Sequence, residues 1–287
     1  MTKLIGGNIS DTPIKDIGDG SAFSAGGGAA QDTAFADTLG NTDNLEFAFL
    51  PGHLPSGGAD AGISNAVASP ASGVHRNDYF LISGDISGTS TTRPTFNGTA
   101  GDASVSEYYG FDGGDMLHIR TPTTFIKSLA KNSADFTLLA AVYPTSAADN
   151  AIIVSTTSGA GLNGIIWRWE PGPIARLRVK NASGNALDVT TTETINLNAW
   201  NVIGVSVDEA ATTGHFIVNG VVESFTSTYS SPTTSDPTVL RVASLTDSVS
   251  QAFDNGDRLG ELVAWNAGIG SAGLITASSA LESLRGI

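Results

Sequence analysis

An all-β fold, a two-sheet antiparallel sandwich, is the architecture this chain of 287 residues predicts. Three observations carry the prediction. Short runs of β-branched, aliphatic and aromatic residues recur at close intervals after residue 104, Gly, Asn and Asp stand between them as turn formers, and no strand–helix–strand alternation interrupts them. Tyr109-Gly-Phe-Asp-Gly-Gly-Asp-Met-Leu-His-Ile119, followed by Asp135-Phe-Thr-Leu-Leu-Ala-Ala-Val-Tyr-Pro144, shows the pattern in miniature: a turn-rich segment, an alternating strand, then a longer aromatic and apolar one.

Taken in order, strands are predicted at 106–111, 116–119, 136–142, 151–155, 165–169, 175–179, 200–207, 215–218, 239–243 and 260–265. Turns are expected near Asn185, at Asn219-Gly220 and at Asp254-Asn-Gly256. In the 200–207 run apolar residues point both ways, as in a sheet whose outer side is itself partly covered. Two helical pieces fit, at 124–130 and at 273–284, the latter placing Leu274, Leu281 and Leu284 to cover part of a sheet.

Residues 1–104 have another character. Glycine-rich stretches at 26–30, 55–60 and 69–73 punctuate them, and only Leu45-Glu-Phe-Ala-Phe-Leu50 and Tyr79-Phe-Leu-Ile-Ser83 read as strands. Such glycine-rich chain is costly to order, so it is either a flexible arm or an extended lead-in that gains order against a partner. Two parts are therefore expected: an extended N-terminal arm or small irregular domain at 1–104, and a sandwich at 105–287.

Twenty-eight acidic residues against 14 basic ones give a net charge of −14, which repels a polyanion and argues against direct nucleic-acid binding. Cysteine is absent, which removes disulfides and thiol chemistry. Charged residues make up only 15% of the chain and glycines number 34, a composition that favours close packing against neighbouring subunits, so self-association is expected. No apolar run has the length of a membrane span or a signal-peptide core, and neither membrane contact nor signal-directed export is expected.

Catalytic patterns are missing. There is no serine elbow and no phosphate loop, and no strand carries the pair of facing carboxylates that glycoside hydrolysis needs; the adjacent Asp208 and Glu209 read as a solvated turn. No enzyme is predicted. Asp112, Asp115, Asp254, Asn255 and Asp257 are candidate oxygen ligands for calcium, the alternative being carboxylates that cap turns. His53, His75, His118 and His215 are isolated; His118 and His215 read as structural strand histidines, and His75 with Arg76, Asp78 and Tyr79 as a contact patch. Trp167 and Trp169 share one face of an extended segment. Exposed, they could stack on a pyranose ring, with Arg168 pointing away; the alternative is a pair of core or interface tryptophans.

Three phrases in order resemble the concanavalin A-like, laminin-G-like jelly-roll superfamily over 105–287. The first is Phe111-Asp-Gly with the runs at 116–119 and 135–144, the second is Trp200-Asn-Val-Ile-Gly-Val-Ser-Val207 with His215-Phe-Ile-Val-Asn-Gly220, and the third is Gly260-Glu-Leu-Val-Ala-Trp265-Asn with the segment 269–284. The resemblance implies a jelly-roll topology, calcium in edge loops and a surface able to bind carbohydrate. Joined to the N-terminal composition, it looks like virion surface proteins of tailed bacteriophages. It thus implies a non-enzymatic decoration, head-fibre or tail-associated protein that docks on capsid or tail proteins through its N-terminal region and exposes a lectin-like sandwich. The alternatives are a secreted or surface carbohydrate-binding module recognising a cell-surface glycan and, third, a glycoside hydrolase.

Overall fold

Period-two alternation sorts the side chains of each strand to opposite sides of a sheet, and two such sheets bury their facing sides against one another. The computed structural model describes residues 38–51, 63–64, 80–83, 93–98, 107–119, 123–146, 150–157, 163–181, 183–230, 236–237, 239–245 and 251–287. Their elements run β1 (Leu45–Phe49), β2 (Ile63–Ser64), β3 (Phe80–Ser83), β4 (Thr95–Asn97), β5 (Tyr108–Asp112), β6 (Leu117–Ile119), α1 (Thr124–Ser128), β7 (Asp135–Tyr143) and β8 (Ala151–Ser155). Then follow β9 (Gly164–Glu170), β10 (Ile174–Asn181), β11 (Gly184–Thr194), β12 (Asn201–Asp208), β13 (Thr213–Val218), β14 (Val221–Thr226), β15 (Leu240–Val242), β16 (Asn255–Trp265) and α2 (Gly270–Arg285).

The first sheet has the order β14-β13-β12-β7-β16-β5-β4, and the second β11-β10-β9-β8-β15-β6-β3-β2. Every recorded pairing is antiparallel, as a jelly-roll sandwich requires. Strand β16 serves two partners along one edge: Asn255, Arg258 and Leu259 pair with β5, and Leu262 to Trp265 pair with β1. Between these stretches its register shifts at Gly260 and Glu261. A side chain at Gly260 would collide with the Arg285 guanidinium, its Cβ lying 2.3 Å from Nη2. The bare backbone there lets Arg285 reach Glu261, where Nε donates to Oε2 at 2.9 Å with both side chains buried.

Between the sheets lies one core, including Phe136, Leu138 and Val142 of β7, Trp167 and Trp169 of β9, and Leu177 of β10. A second apolar cluster lies on the outer side of the first sheet, where Leu139, Val202, Val263 and Trp265 are covered by Leu274, Ala277 and Leu281 of α2. The spacing of those three residues sets one helical stripe toward the sheet. The helix ends at Gly286, whose left-handed φ of 70° lets its N–H bond back to Glu282 and Ser283. The two-sided apolar pattern of β12 is therefore explained by a sheet covered on both sides. No helix among the described residues is long and apolar enough to cross a membrane.

The division at residue 104 is corrected by the structure. β1 pairs with β16, β3 with β6 and β4 with β5, so strands from both sides of that boundary share both sheets. Phe47 and Phe49 sit fully buried in the main core, and Leu45, Ala48 and Leu50 in the outer cluster. The five-residue strand β1 is buried along its whole length, and β16 supplies its recorded partner. The glycine-rich stretches, His53, and the patch of His75, Arg76, Asp78 and Tyr79 lie outside the described residues. Strands β4, β11 and β14, unmarked in the sequence reading, are polar or short edge elements. The expected turn at Asp254-Asn-Gly256 is present, closed by Asp257 N donating to Asp254 O at 3.0 Å, and Asn255 and Gly256 are also the first residues of β16.

Candidate functional site

The outer side of the second sheet contrasts with the helix-covered side of the first. On β10 the alternation Ile174-Ala-Arg-Leu-Arg-Val-Lys180 turns Ala175, Leu177 and Val179 into the core and sends Arg176, Arg178 and Lys180 outward. Arg168 on β9 stands directly opposite Arg176. Like charges in opposed strand positions repel, so this pair requires an anion between them. Glu170 is that anion, its Oε1 accepting from Arg168 Nη2 and, at 2.7 Å, from Arg176 Nη1. Asp188 on β11 holds the other side of Arg176 in a two-pronged bond, with Nε and Nη2 each donating at 2.6 Å. The same carboxylate lies 3.3 Å from Arg178 Nε and accepts from Asn185 Nδ2. Arg168 also donates to Gln251 Oε1 at 3.1 Å.

Electrostatics follow from this wiring. Burial pulls the Glu170 carboxyl upward, but hydrogen bonds from Arg176 and Arg168 outweigh it and hold the group below its ordinary range. Asp188 is likewise held low, burial being overcome by the bond and charge of Arg176 and the charge of Arg178. Both therefore stay ionised at neutral pH. Lys180 is pushed down from the usual lysine value by burial and by the charges of Arg178 and Arg168. Toward β8 and β15 the face is closed, with Ile152, Ser155 and Arg241 buried and Arg241 Nη1 donating to Thr157 O at 2.8 Å. Toward β10 and β11 it opens: the Arg176 and Arg178 side chains are 20% and 22% exposed. Chemically, the open part offers a fork of guanidinium N–H donors, an ammonium and neighbouring amide and hydroxyl groups, while its carboxylates Glu170 and Asp188 are held ionised.

Trp167 and Trp169, the candidate sugar platform, are in the core, at 0% and 1% exposure. They do share a face, but it is the inner one, where Trp169 packs on Phe253 with ring centroids 4.6 Å apart. The core alternative is the one the molecule uses, and Arg168, between them, takes the outward face.

The calcium candidates are partly brought together, since Asn255 pairs with Asp112 across β16 and β5. Their carboxylates are engaged otherwise. Asp115 Oδ2 accepts from Asp112 N at 3.1 Å, and Asp257 Oδ2 accepts from Asp254 N at 2.7 Å, so the two turns are closed by the same three-residue reach. Asp257 Oδ1 further accepts from Thr145 N at 2.6 Å and Thr145 Oγ1 at 2.8 Å, while Asp112 Oδ1 accepts from Gly114 N at 2.9 Å. Burial, with the Asp112 charge beside it, raises Asp115 to about 6, and burial raises Asp257. Oxygens engaged by backbone donors on groups resistant to ionisation suit turn capping; calcium calls for converging ionised oxygens. Among the described residues no group of three acidic or histidine side chains converges on a metal position.

Glu209 is a further correction. It is buried, not solvated, and its carboxylate accepts from Ser133 N at 2.6 Å, while Asp208 Oδ1 accepts from Ala211 N. His118 is buried in β6, and His215 Nδ1 shares a hydrogen bond with Ser224 Oγ at 3.0 Å. Two clusters had gone unmarked. One is the Arg/Glu/Asp network, legible as three cations at period two on β10. The other lies near the end of α2, where Arg258 sits between the rings of Tyr108 and Tyr143 at 4.7 and 4.3 Å, and Arg285 covers Trp200 at 4.3 Å.

A family model described as the concanavalin A-like lectin/glucanases superfamily matches residues 113–266. Among solved structures, the binding domain of botulinum neurotoxin serotype G is similar at TM-score 0.57 and 11% identity, over 84% of this chain and 52% of that one. A Trypanosoma rangeli sialidase in complex with sialic acid is similar at TM-score 0.56 and 10% identity, over 88% of this chain and 37% of that one. The binding domain of Paraclostridial mosquitocidal protein 1 gives TM-score 0.54 and 14% identity, over 82% and 51%. The chain thus spans only 37–52% of the length of these structures, and at such identities the likeness is one of fold. No curated protein matches it in sequence.

Proposed function

Because the chain belongs to the concanavalin A-like lectin/glucanase superfamily, we propose that it is a non-enzymatic recognition module, displayed on a tailed-phage particle with the outer face of its second sheet turned to carbohydrate. The observation that carries this reading is the network of Arg168, Glu170, Arg176 and Asp188, which holds a donor-rich face in fixed geometry on three paired strands. Recognition sites on rigid strands keep their geometry better than sites on loops. Glycoside hydrolysis needs one carboxylic acid ready to protonate the leaving oxygen; Glu170 and Asp188, held ionised between arginines, supply no such acid. Attachment to capsid or tail proteins falls to the region ahead of β1, since β1, β3 and β4 are already committed to the sandwich. Self-association of the small-residue surface would array copies on the particle.

A secreted or surface carbohydrate-binding module is the second reading, supported by the solved neighbours that are themselves binding domains. The two readings differ in location. Cryo-electron microscopy of purified phage particles that carry the gene, paired with a glycan array and a glycosidase assay on the purified protein, tests both. Density for the sandwich on the particle exterior, glycan binding and no turnover are expected. A protein absent from the particle yet binding glycan moves the assignment to the second reading, and turnover abolished by a single carboxylate substitution overturns the non-enzymatic one.

A further inference from the structure

We propose that the open face of β9, β10 and β11 takes an acidic saccharide, and that Arg178 and Lys180 receive its carboxylate or sulfate; this rests on the recognition reading and names its ligand class. Four cations, Arg168, Arg176, Arg178 and Lys180, project from this face against two carboxylates, in a chain whose acids outnumber its bases 28 to 14. Both carboxylates are already shared. Glu170 joins Arg168 to Arg176, and Asp188 gives both oxygens to Arg176 before it meets Arg178. Among the described residues Arg178 is left with one ionic contact, at 3.3 Å to a shared oxygen, and its Nε has no aligned hydrogen-bond partner. Lys180 has no carboxylate partner among the described residues. It stands two positions along the same face of β10, about 6.5 Å away by strand geometry, so the two long side chains can close on one anionic group.

On the neighbouring strand Arg168 is 5% exposed with a buried, unbonded Nε, and it adds a cation to the same face beside Glu170. Lys180 is depressed by burial first and then by the charges of Arg178 and Arg168, against the opposing charge of Asp188. Asn185, paired with Lys180, and Thr190, paired with Arg176, add the neutral polar groups that sugar hydroxyls need. A single acidic sugar meets this local field, whereas an extended nucleic acid would also meet the excess of acidic residues that gives the whole chain a net charge of −14.

The test is isothermal titration of the full chain with sialyllactose, a hyaluronan tetrasaccharide and a heparin tetrasaccharide, against lactose and a chitin tetrasaccharide as neutral probes. It is repeated with Arg178→Gln, Lys180→Gln and, as a remote control, Lys131→Gln, all checked by thermal melting. At least one acidic probe is expected to bind, to weaken as salt is raised, and to lose affinity about tenfold in each of the two site variants but not in the control. Backbone amide shifts of the unmutated protein supply a second readout, confined to β9–β11, should either variant melt early. A neutral probe that binds as tightly through the same two residues overturns the acidic ligand and leaves the recognition face standing. Acidic binding that ignores both variants and shifts other strands overturns the site. Failure of all five probes removes this proposal, and with it the carbohydrate reading of the face.

Discussion

The two outward faces of the sandwich are made from the same alternating strands and are put to opposite uses. On the first sheet the outward positions are apolar, and α2 covers Val202, Val263 and Trp265 as a second core. On the second they are charged, and what fixes them is an ion network rather than a covering helix. The difference teaches that in a sheet with one buried side, the identity of the other side decides whether a face adds stability or remains available for contact. The buried pair Arg285–Glu261 beneath α2 and the half-exposed Arg178–Asp188 pair illustrate it: the first is closed to solvent and the second is open at one end.

The largest effect should come from the covered face. Trp265→Ala removes a fully buried ring that also donates from Nε1 to Gly40 O at 3.1 Å, and urea denaturation should register a loss of about 3–5 kcal/mol. A loss below about 1 kcal/mol would mean that the second core is only a loose cover. On the polar face Glu170→Gln should cost less, about 1–2 kcal/mol in the same measurement, because Arg168 and Arg176 are then opposed across the strands without their bridging charge. An unchanged stability would show that solvent already screens that pair and that the network has no structural weight.

The smallest effect belongs to the turn that carries the chain from β5 in the first sheet to β6 in the second. Asp115 has a folded-state value of about 6 against an ordinary 3.8, raised by burial and by Asp112. Between those values the folded chain retains a proton that the unfolded chain has released, so this group's contribution to stability is greatest below about pH 4 and declines as pH rises to about 6. Asp115→Asn keeps an oxygen acceptor for Asp112 N and cannot ionise. Near neutral pH it should melt about 2–4 °C above the parent chain, a gain of about 1 kcal/mol after solvent screening, and the difference should vanish in acid. A melting temperature lowered by the substitution at neutral pH would show the carboxylate to be the better cap.

The parts legible in the sequence are those with dense local patterns. The runs in β7, β9, β12 and β16 declare themselves through apolar content, and α2 through the spacing of Leu274 and Leu281. Membership of β1 was not legible, because its partner lies more than two hundred positions away and nothing in Leu45-Glu-Phe-Ala-Phe-Leu50 specifies a distant strand. For Trp167 and Trp169 the spacing announces a shared face but not which face; the sign comes from Arg168, whose charge has to leave the core. Read in that way, the three cations of β10 mark the outward face from sequence alone. The turn carboxylates Asp115 and Asp257 were legible as oxygen donors, and only the direction of the neighbouring N–H groups tells a cap from a ligand.

The pairing of Leu45 with Trp265 also sets an order of events during synthesis. β1 leaves a ribosome before every other described strand, yet its place in the sheet does not exist until β16 has been made, and Glu46 waits longer still for the Asn266 amide that donates to it at 2.6 Å. Until then Phe47 and Phe49, fully buried in the finished fold, have each other and Phe125 to pack on but lack the cover of β16. Contacts of such long sequence separation slow folding and lengthen exposure to aggregation, so a nascent chain halted just short of β16 is a natural client for a chaperone.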